Sequence, residues 1–314
     1  MKNNPLSIYI HWPFCKKKCP YCDFNSHVNK NALEEEQWLN AYLYNIEKFK
    51  NIIKTRKIQS IFFGGGTPSL MPIKIVEKIL YINEANKIFD NYSIDLIYSL
   101  PKQTTTTWEK ELQYALSLAK HHISLYQLTI EKGTQFFTLF KNKEFILPNE
   151  DTERELYIMT QELTKTHDFH NYEISNFAQY NKESQHNLAY WKYQEYLGIG
   201  PGAHSRVKFG QNYKALNAIY EPNKWLSTTL NKADNVQKSS NLSIKDIARE
   251  YTLMGLRLSE GLNLKDFKLR FHANLIDFFN HDKIDLLIQE NLLTPHNDRI
   301  YLNNKGKLLT NYII

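Results

Sequence analysis

The only thiols in this 314-residue chain are Cys15, Cys19 and Cys22, all inside the nine-residue run FCKKKCPYC. Their spacing, C-x3-C-x2-C, lets three thiolates on one loop wrap a single soft metal centre. A structural zinc ion needs four protein ligands, so His11 or His27 would have to complete the set. A [4Fe-4S] cluster held by three thiolates leaves its fourth iron without a protein ligand, free to chelate a small molecule. Unliganded cysteines are the third reading, and clustering of the whole supply speaks against them. A second chemical stretch, Gly64-Gly65-Gly66-Thr67-Pro68, lets backbone approach a ligand closely. It lacks the G-K-[ST] ending of a phosphate loop and the G-x-G-x-x-G pattern. Without a ligand it is a tight strand-to-helix turn.

Both stretches follow segments that read as buried strands, 6–12 and 60–66. Two more such segments lie at 92–100 and 122–130, each rich in β-branched or aromatic residues. Amphipathic helical patterns fall between them. The first starts near residue 31 with Leu39, Leu43 and Ile46 on one side; the second covers 73–89; the third follows Thr106, which pairs with Glu109 as a capping box. Alternating strands and helices predict a parallel α/β sheet with functional groups at the strands' carboxyl ends. Residues 11–22, 64–68, 95–101 and 129–134 are therefore expected to converge.

Beyond a predicted helix at 151–167 comes an aromatic, glycine-bearing stretch at 186–205. Residues 231–241 are polar and read as a linker. Helical patterns from Ser243 precede 292–309, which reads as strand, turn, strand, so the end of the chain is winged-helix-like. The expected division is 1–230 for an α/β domain and 231–314 for the C-terminal one. A length of 314 residues fits two domains at about 100–200 residues each. No apolar run approaches the roughly 20 residues of a membrane span, and the first residues lack a signal peptide's apolar core, which predicts a cytoplasmic protein. The net charge of +6 comes from scattered lysines, apart from the local spot at Lys16, Lys17 and Lys18, so nucleic acid is not the expected partner. Lys305 and Lys307 near the presumed wing are the residues a nucleic-acid reading would use.

The three-cysteine loop after a first strand, with the glycine run after a second, resembles the radical S-adenosylmethionine superfamily. IYIHWPFCKKKCPYCDFNS, FFGGGTPS, SIDLIYSLPKQT, HNLAYW and LGIGPGAHS resemble the oxygen-independent coproporphyrinogen III oxidase group within it, and most closely its HemW-type heme chaperone branch. The true oxidases carry a fourth cysteine two positions beyond the cluster motif, where this chain has Phe24. The chaperones carry H-N-x-x-Y-W, present as His186, Asn187, Tyr190 and Trp191. The resemblance implies a partial (β/α) barrel in which Cys15, Cys19 and Cys22 hold a [4Fe-4S] cluster and Tyr9 sits near it. It further implies that Tyr21, Gly65, Gly66 and Thr67 line the S-adenosylmethionine site and that Asp95 faces the ribose. The implied function is to bind heme and pass it to an acceptor protein, with porphyrinogen oxidation as the alternative. For heme, His186 and His204 lie among Tyr190, Trp191, Tyr193 and Tyr196, and His186 is the better candidate ligand on motif grounds.

The chain departs from that pattern in one place. Family members have two further strand-helix units, carrying a glutamate, a glutamine and an arginine that contact S-adenosylmethionine, between the glycine-rich strand and the IDLIY strand. Here only 27 residues separate Thr67 from Asp95. Three lost hydrogen bonds, at about 0.5–1.5 kcal/mol each, weaken S-adenosylmethionine binding by a few orders of magnitude. Cluster binding is therefore expected ahead of radical chemistry.

Overall fold

The computed structural model describes residues 5–29, 34–82 and 93–313. The chain divides into two units, one formed by residues 1–89, 129–144 and 194–242, the other by 90–128, 145–193 and 243–314.

In the first unit the central strand is β1 (Leu6–Trp12), and its two faces differ in kind. Leu6, Ile8, Ile10 and Trp12 are buried against Trp38, Leu39, Tyr42 and Ile46 of the helix Glu35–Lys48. The alternate residues Ser7, Tyr9 and His11 point the other way, because successive side chains of a strand leave opposite faces. Two more short strands, β2 (Phe14–Cys15) and β3 (His27–Val28), follow, and then β4 (Ile58–Gly65), parallel to β1. The register sets Ser7, Tyr9 and His11 beside Ser60, Phe62 and Gly64. Trp12 and Trp225, both fully buried, anchor an aromatic core with Phe14, Trp38 and Tyr42.

The second unit repeats this two-faced plan. Strands β5 (Ser93–Tyr98) and β6 (His122–Gln127) run parallel; Ile94, Leu96, Ile123 and Leu125 face Trp108, Leu112, Leu116 and Leu156 of the helices Thr105–Leu118 and Glu150–Thr166. Ser93, Asp95, His122 and Ser124 occupy the opposite, polar face. Short strands β7 (His170–Asn171) and β8 (Asn176–Ala178) extend the sheet antiparallel, in the order β5-β6-β8-β7.

The first sheet is completed by β9 (Glu195–Ile199), parallel to β1, and then β10 (His204–Phe209), β11 (Asn212–Ala218) and β12 (Val236–Asn241), antiparallel, giving β12-β11-β10-β9-β1-β4. The expected single parallel sheet is thus two sheets among the described residues, and no closed barrel forms. Among the described residues β4 ends the first and β5 ends the second, each hydrogen-bonded to one neighbour. These are the strands between which the resemblance puts the two missing strand-helix units. The expected helix 73–89 is present as Ile73–Ile82, and its remainder, like the expected helix start near residue 31, lies outside the described residues.

Three local expectations are corrected. The linker reading of 231–241 fails because 236–241 pair with β11, main-chain bonding having outweighed a polar composition. The cap of the third helix is Thr104, not Thr106: Thr104 Oγ1 accepts from Thr107 N at 3.2 Å and Thr107 Oγ1 accepts from Thr104 N at 3.0 Å. Residues 304–308 form a helix rather than strand, after β13 (Leu262–Asn263), β14 (Leu293–His296) and β15 (Arg299–Leu302) have made a three-stranded sheet ordered β13-β15-β14. That sheet and the helix Ile244–Gly255 enclose Phe267, Phe271, Leu293 and Leu302. Lys307 donates to Asn171 Oδ1 (3.2 Å) and Ser259 Oγ (3.0 Å), and Lys305 to Glu290 O (3.1 Å), so both lysines serve contacts within the unit instead of standing on a wing.

Removing a hydrogen-bonding cap costs about 1 kcal/mol. Thr104→Ala is expected to lower stability by about that amount in denaturant titration and Thr106→Ala by less than about half of it. On the polar face of the second sheet, His122 is bonded to Ser93 Oγ (2.7 Å) and Tyr172 OH (2.9 Å), and burial lowers its pKa from 6.5 to about 4. The native imidazole stays neutral while the unfolded one takes a proton, so this contribution is intact above pH 6.5 and is lost as pH falls toward about 4. Within that window His122→Gln is expected to reduce the slope of stability against pH by up to about 1.4 kcal/mol per unit, read from urea unfolding across the pH range.

Candidate metal and cofactor site

The cysteine loop is built on the end of β1. Phe14 packs edge-on to Trp12 and Trp38, with ring centroids 5.3 and 5.1 Å away, which pins the residue just before Cys15. The loop closes on itself where Phe14 pairs with His27 and Cys15 with Val28, and His27 N donates to Pro13 O at 2.7 Å. Inside it Cys22 N donates to Cys19 O at 3.1 Å, and Cys22 Sγ lies 3.3 Å from Ser26 Oγ. Cys19 is exposed, and Cys15 and Cys22 are half-buried.

The glycine run meets this loop directly. Gly66 N donates to Trp12 O (2.7 Å) and Thr67 N to Phe14 O (2.9 Å), continuing the parallel ladder past the end of the strands. A Cβ on Gly66 would stand 2.8 Å from Cys15 Sγ and 2.7 Å from Phe14 O, so no other residue fits without moving the thiol. Gly65 lies beside Trp12 in the register, and Thr67 precedes the short 3-10 turn Pro68–Leu70. Just beyond the fourth expected segment, 129–134, Phe136 N–H donates to Pro20 O at 2.9 Å and its ring meets Tyr21 at 6.2 Å, whereas the third, 95–101, belongs to the other unit. Burial, followed by its hydrogen bond to Cys19, pushes the Tyr21 phenol up to about 12.

Tyr9 sits at the middle of β1, stacked on Phe62 at 6.1 Å, and its hydroxyl is 2.9 Å from His11 Nδ1. His11 Nε2 is 2.9 Å from the Asn25 carbonyl, which can only accept, so the proton of a neutral His11 is on Nε2 and Nδ1 accepts from Tyr9. Burial first, then the neighbouring His27 and His204, keeps the His11 pKa low against the Asn25 hydrogen bond. Both ring nitrogens are thereby committed. His27 Nε2 is likewise 2.6 Å from Asn25 Oδ1. Neither imidazole joins the thiols, and among the described residues no group of three or more His, Cys, Asp and Glu closes on one ion. The imidazoles that a zinc site would need are thus engaged elsewhere, and the three thiols do not converge on one point either.

Asn25 is a residue that motif reading passed over. It is buried, and its amide donates to Pro201 O (3.0 Å) and Tyr220 O (2.9 Å), tying the loop to the turn between β9 and β10. That turn holds Gly202 at φ +72°, where any Cβ would collide with the Asn25 amide. The signal was present in LGIGPGAHS, whose Gly200 and Gly202 pack against His11 O and the Asn25 amide.

Asp95 and His186 belong to the other unit. Asp95 is exposed on β5, opposite Ser124, and accepts from Ser93 Oγ at 3.3 Å. His186 is buried on the helix Gln185–Trp191, its Nε2 2.8 Å from Tyr190 OH, and burial lowers its pKa to about 4. It is neutral at pH 7, as a metal ligand must be, but Nε2 is occupied by a tyrosine. His204, at the start of β10, is more exposed.

Comparison with known proteins decides the family. Residues 9–152 match the radical SAM superfamily, and residues 242–309 match the HemN C-terminal domain. The heme chaperone HemW of Buchnera aphidicola subsp. Schizaphis graminum is 30% identical over 376 aligned positions, covering 99% of this chain and 97% of that protein. The chain belongs to the HemW-type family of radical SAM proteins. The Bacillus subtilis HemW is 28% identical, covering 98% and 97%. Among solved structures, coproporphyrinogen III oxidase (HemN) from Escherichia coli superposes with a TM-score of 0.77 at 17% identity, over 100% of this chain and 90% of that one, which establishes a shared fold. An alignment of 376 positions against a chain of 314 leaves at least 62 positions without a counterpart here, in keeping with a HemW-type protein shortened by two strand-helix units. No described helix is long and apolar enough to cross a membrane.

Gly66→Ala is expected to cut the iron bound per chain severalfold after anaerobic reconstitution. Gly210→Ala, at a turn with nothing within 4 Å of the added carbon, should leave it unchanged.

Proposed function

We propose that this protein is a heme chaperone that carries a [4Fe-4S] cluster on Cys15, Cys19 and Cys22 and hands heme to an acceptor protein. The support is the closeness of Gly66 to Cys15 Sγ, which brings the first thiol and the glycine run together. When bound, a cluster on three thiolates supplies an open iron for the amino and carboxylate groups of S-adenosylmethionine and a centre that takes up one electron. Phe14 holds the first thiolate in place, and the Tyr9–His11–Asn25 chain fixes the loop's floor in one protonation state. Gly65, Gly66, Thr67 and Tyr21 are the groups of this unit poised toward S-adenosylmethionine, and Asp95 is proposed for its ribose. Phe24 in place of a fourth cysteine favours heme handling over oxidation of a porphyrinogen.

His186 is the proposed heme ligand. Its neutral ring suits iron, and binding there requires Tyr190 OH to release Nε2, so heme uptake is coupled to a rearrangement of the helix Gln185–Trp191. The division into an α/β domain, 1–230, and a C-terminal domain, 231–314, is proposed to separate the cluster from the part matched at 242–309.

Anaerobic reconstitution is expected to give visible iron-sulfur absorption in the wild type and none in a Cys15, Cys19, Cys22→Ser triple variant. Zinc in place of iron would sink the proposal. In hemin titration, His186→Ala is expected to weaken binding at least about tenfold, roughly 1.4 kcal/mol, and to alter the Soret band. An unchanged band and affinity would remove His186 from the site. Release of 5′-deoxyadenosine under reducing conditions, together with turnover of a porphyrinogen, would favour the oxidase reading instead.

A further inference from the structure

The helix Gln185–Trp191, which carries His186, ends against the C-terminal part of its own unit, where several cations gather. Lys192 and Arg299 both pair with the Glu260 carboxylate at 3.4 Å. Arg270 donates to Tyr193 O at 3.2 Å while lying over the rings of Tyr193 and Tyr251. Arg257 has no such oxygen partner. Its guanidinium lies over the Trp191 ring, 5.4 Å from the centroid, and among the described residues its side chain donates no hydrogen bond and joins no ion pair. Its Nε and the Nε1 of Trp191 are both buried donors without an acceptor among the described residues. Glu173 is a carboxylate within its field, but Glu173 Oε1 already accepts from Asn176 Nδ2 and Ser175 N. Burial raises the Glu173 pKa, and those two hydrogen bonds oppose the rise ahead of the Arg257 charge.

A half-buried cation that gives up water without gaining an acceptor destabilises the fold, and an unpartnered indole N–H beside it adds to that cost. The same arrangement is ready for an anion. A guanidinium stacked on an aromatic face keeps its planar fork free for the two oxygens of a carboxylate, and the indole supplies a further donor. Location narrows the choice of anion. His186 and Trp191 are five residues apart on one helix, about 7.5 Å along its axis at 1.5 Å per residue, on the scale of the distance from a heme iron to heme's own propionates. We propose that Arg257, with the Trp191 indole beside it, is a subsite for a heme propionate and selects heme by its acidic edge. The inference rests on the reading that heme binds at this helix. The rearrangement that releases His186 Nε2 from Tyr190 also uncovers the two buried donors.

The test titrates the full chain with hemin and with hemin dimethyl ester, whose carboxyl groups carry no charge. The wild type is expected to bind hemin about tenfold more tightly than the ester at low salt, as one charge-assisted hydrogen bond supplies, and the difference is expected to shrink as salt is raised. Arg257→Met is expected to bring hemin down to the affinity of the ester, with the Soret band kept in position because the axial ligand stays. Arg257→Lys is expected to restore part of the preference, which separates charge from packing. Trp191→Phe, which keeps a ring under the guanidinium and removes the indole N–H, is expected to show an intermediate preference. Equal affinities for the two compounds in the wild type, or a preference that Arg257→Met retains, overturn the propionate subsite alone. A wild type that binds neither compound overturns the heme reading and this inference with it. A glutamate-rich peptide held by the wild type and not by Arg257→Met, with hemin and its ester bound alike, assigns the guanidinium to an acidic protein segment and also overturns the proposal.

Discussion

Two main-chain hydrogen bonds, from Gly66 N to Trp12 O and from Thr67 N to Phe14 O, carry the parallel pairing of β1 and β4 one step past the end of the sheet. Because of them the glycine run lies against the first thiol instead of turning away into its helix. Their geometry holds only while Phe14 remains wedged between Trp12 and Trp38, since the bond to Thr67 uses the carbonyl of that residue. The apolar core on one face of β1 and the cysteine loop at its tip are therefore one mechanical system. A change of core volume beneath Trp12 is felt at Cys15, because close-packed interiors transmit displacement rather than absorb it.

The same strand separates structure from chemistry by its period of two. Leu6, Ile8, Ile10 and Trp12 stabilise the unit, while Ser7, Tyr9 and His11 line the opposite face. In the second unit Ile94 and Leu96 do the first job, and Ser93, Asp95, His122 and Ser124 the second. Among the described residues β4 and β5 each end a sheet, one in each unit. Cys15, Cys19, Cys22 and the glycine run all come from β1, β4 and the loops at their ends, within one unit.

Asn25 illustrates how support for a metal loop is distributed. Its backbone carbonyl sets the tautomer of His11, its side-chain oxygen meets His27, and its amide holds the β9–β10 turn. One buried amide with all of its hydrogen-bonding groups satisfied orders three segments far apart in sequence. Second partners of this kind commonly tune the groups that touch a metal.

What the sequence by itself determined was local and periodic. Spacing placed the three thiols on one loop, alternation and β-branching marked 6–12 and 122–130 as strands, and the motifs identified the family; all of these depend on residues within a few positions of one another. The tertiary structure decided what depends on distant partners. Pairing with β11 turned the polar segment 236–241 into a strand, for edge strands draw on main-chain bonds that composition does not display. The helix cap went to Thr104 because backbone geometry, not the Thr-Glu pattern, selects the capping hydroxyl. The roles of Asn25 and Gly202 emerged only once residues 176 and 195 positions apart were hydrogen-bonded, and the commitment of both nitrogens of His11 once Tyr9 and Asn25 met its ring. Such contacts are encoded by the whole packed chain, since a buried polar group takes whichever partner the fold brings to it.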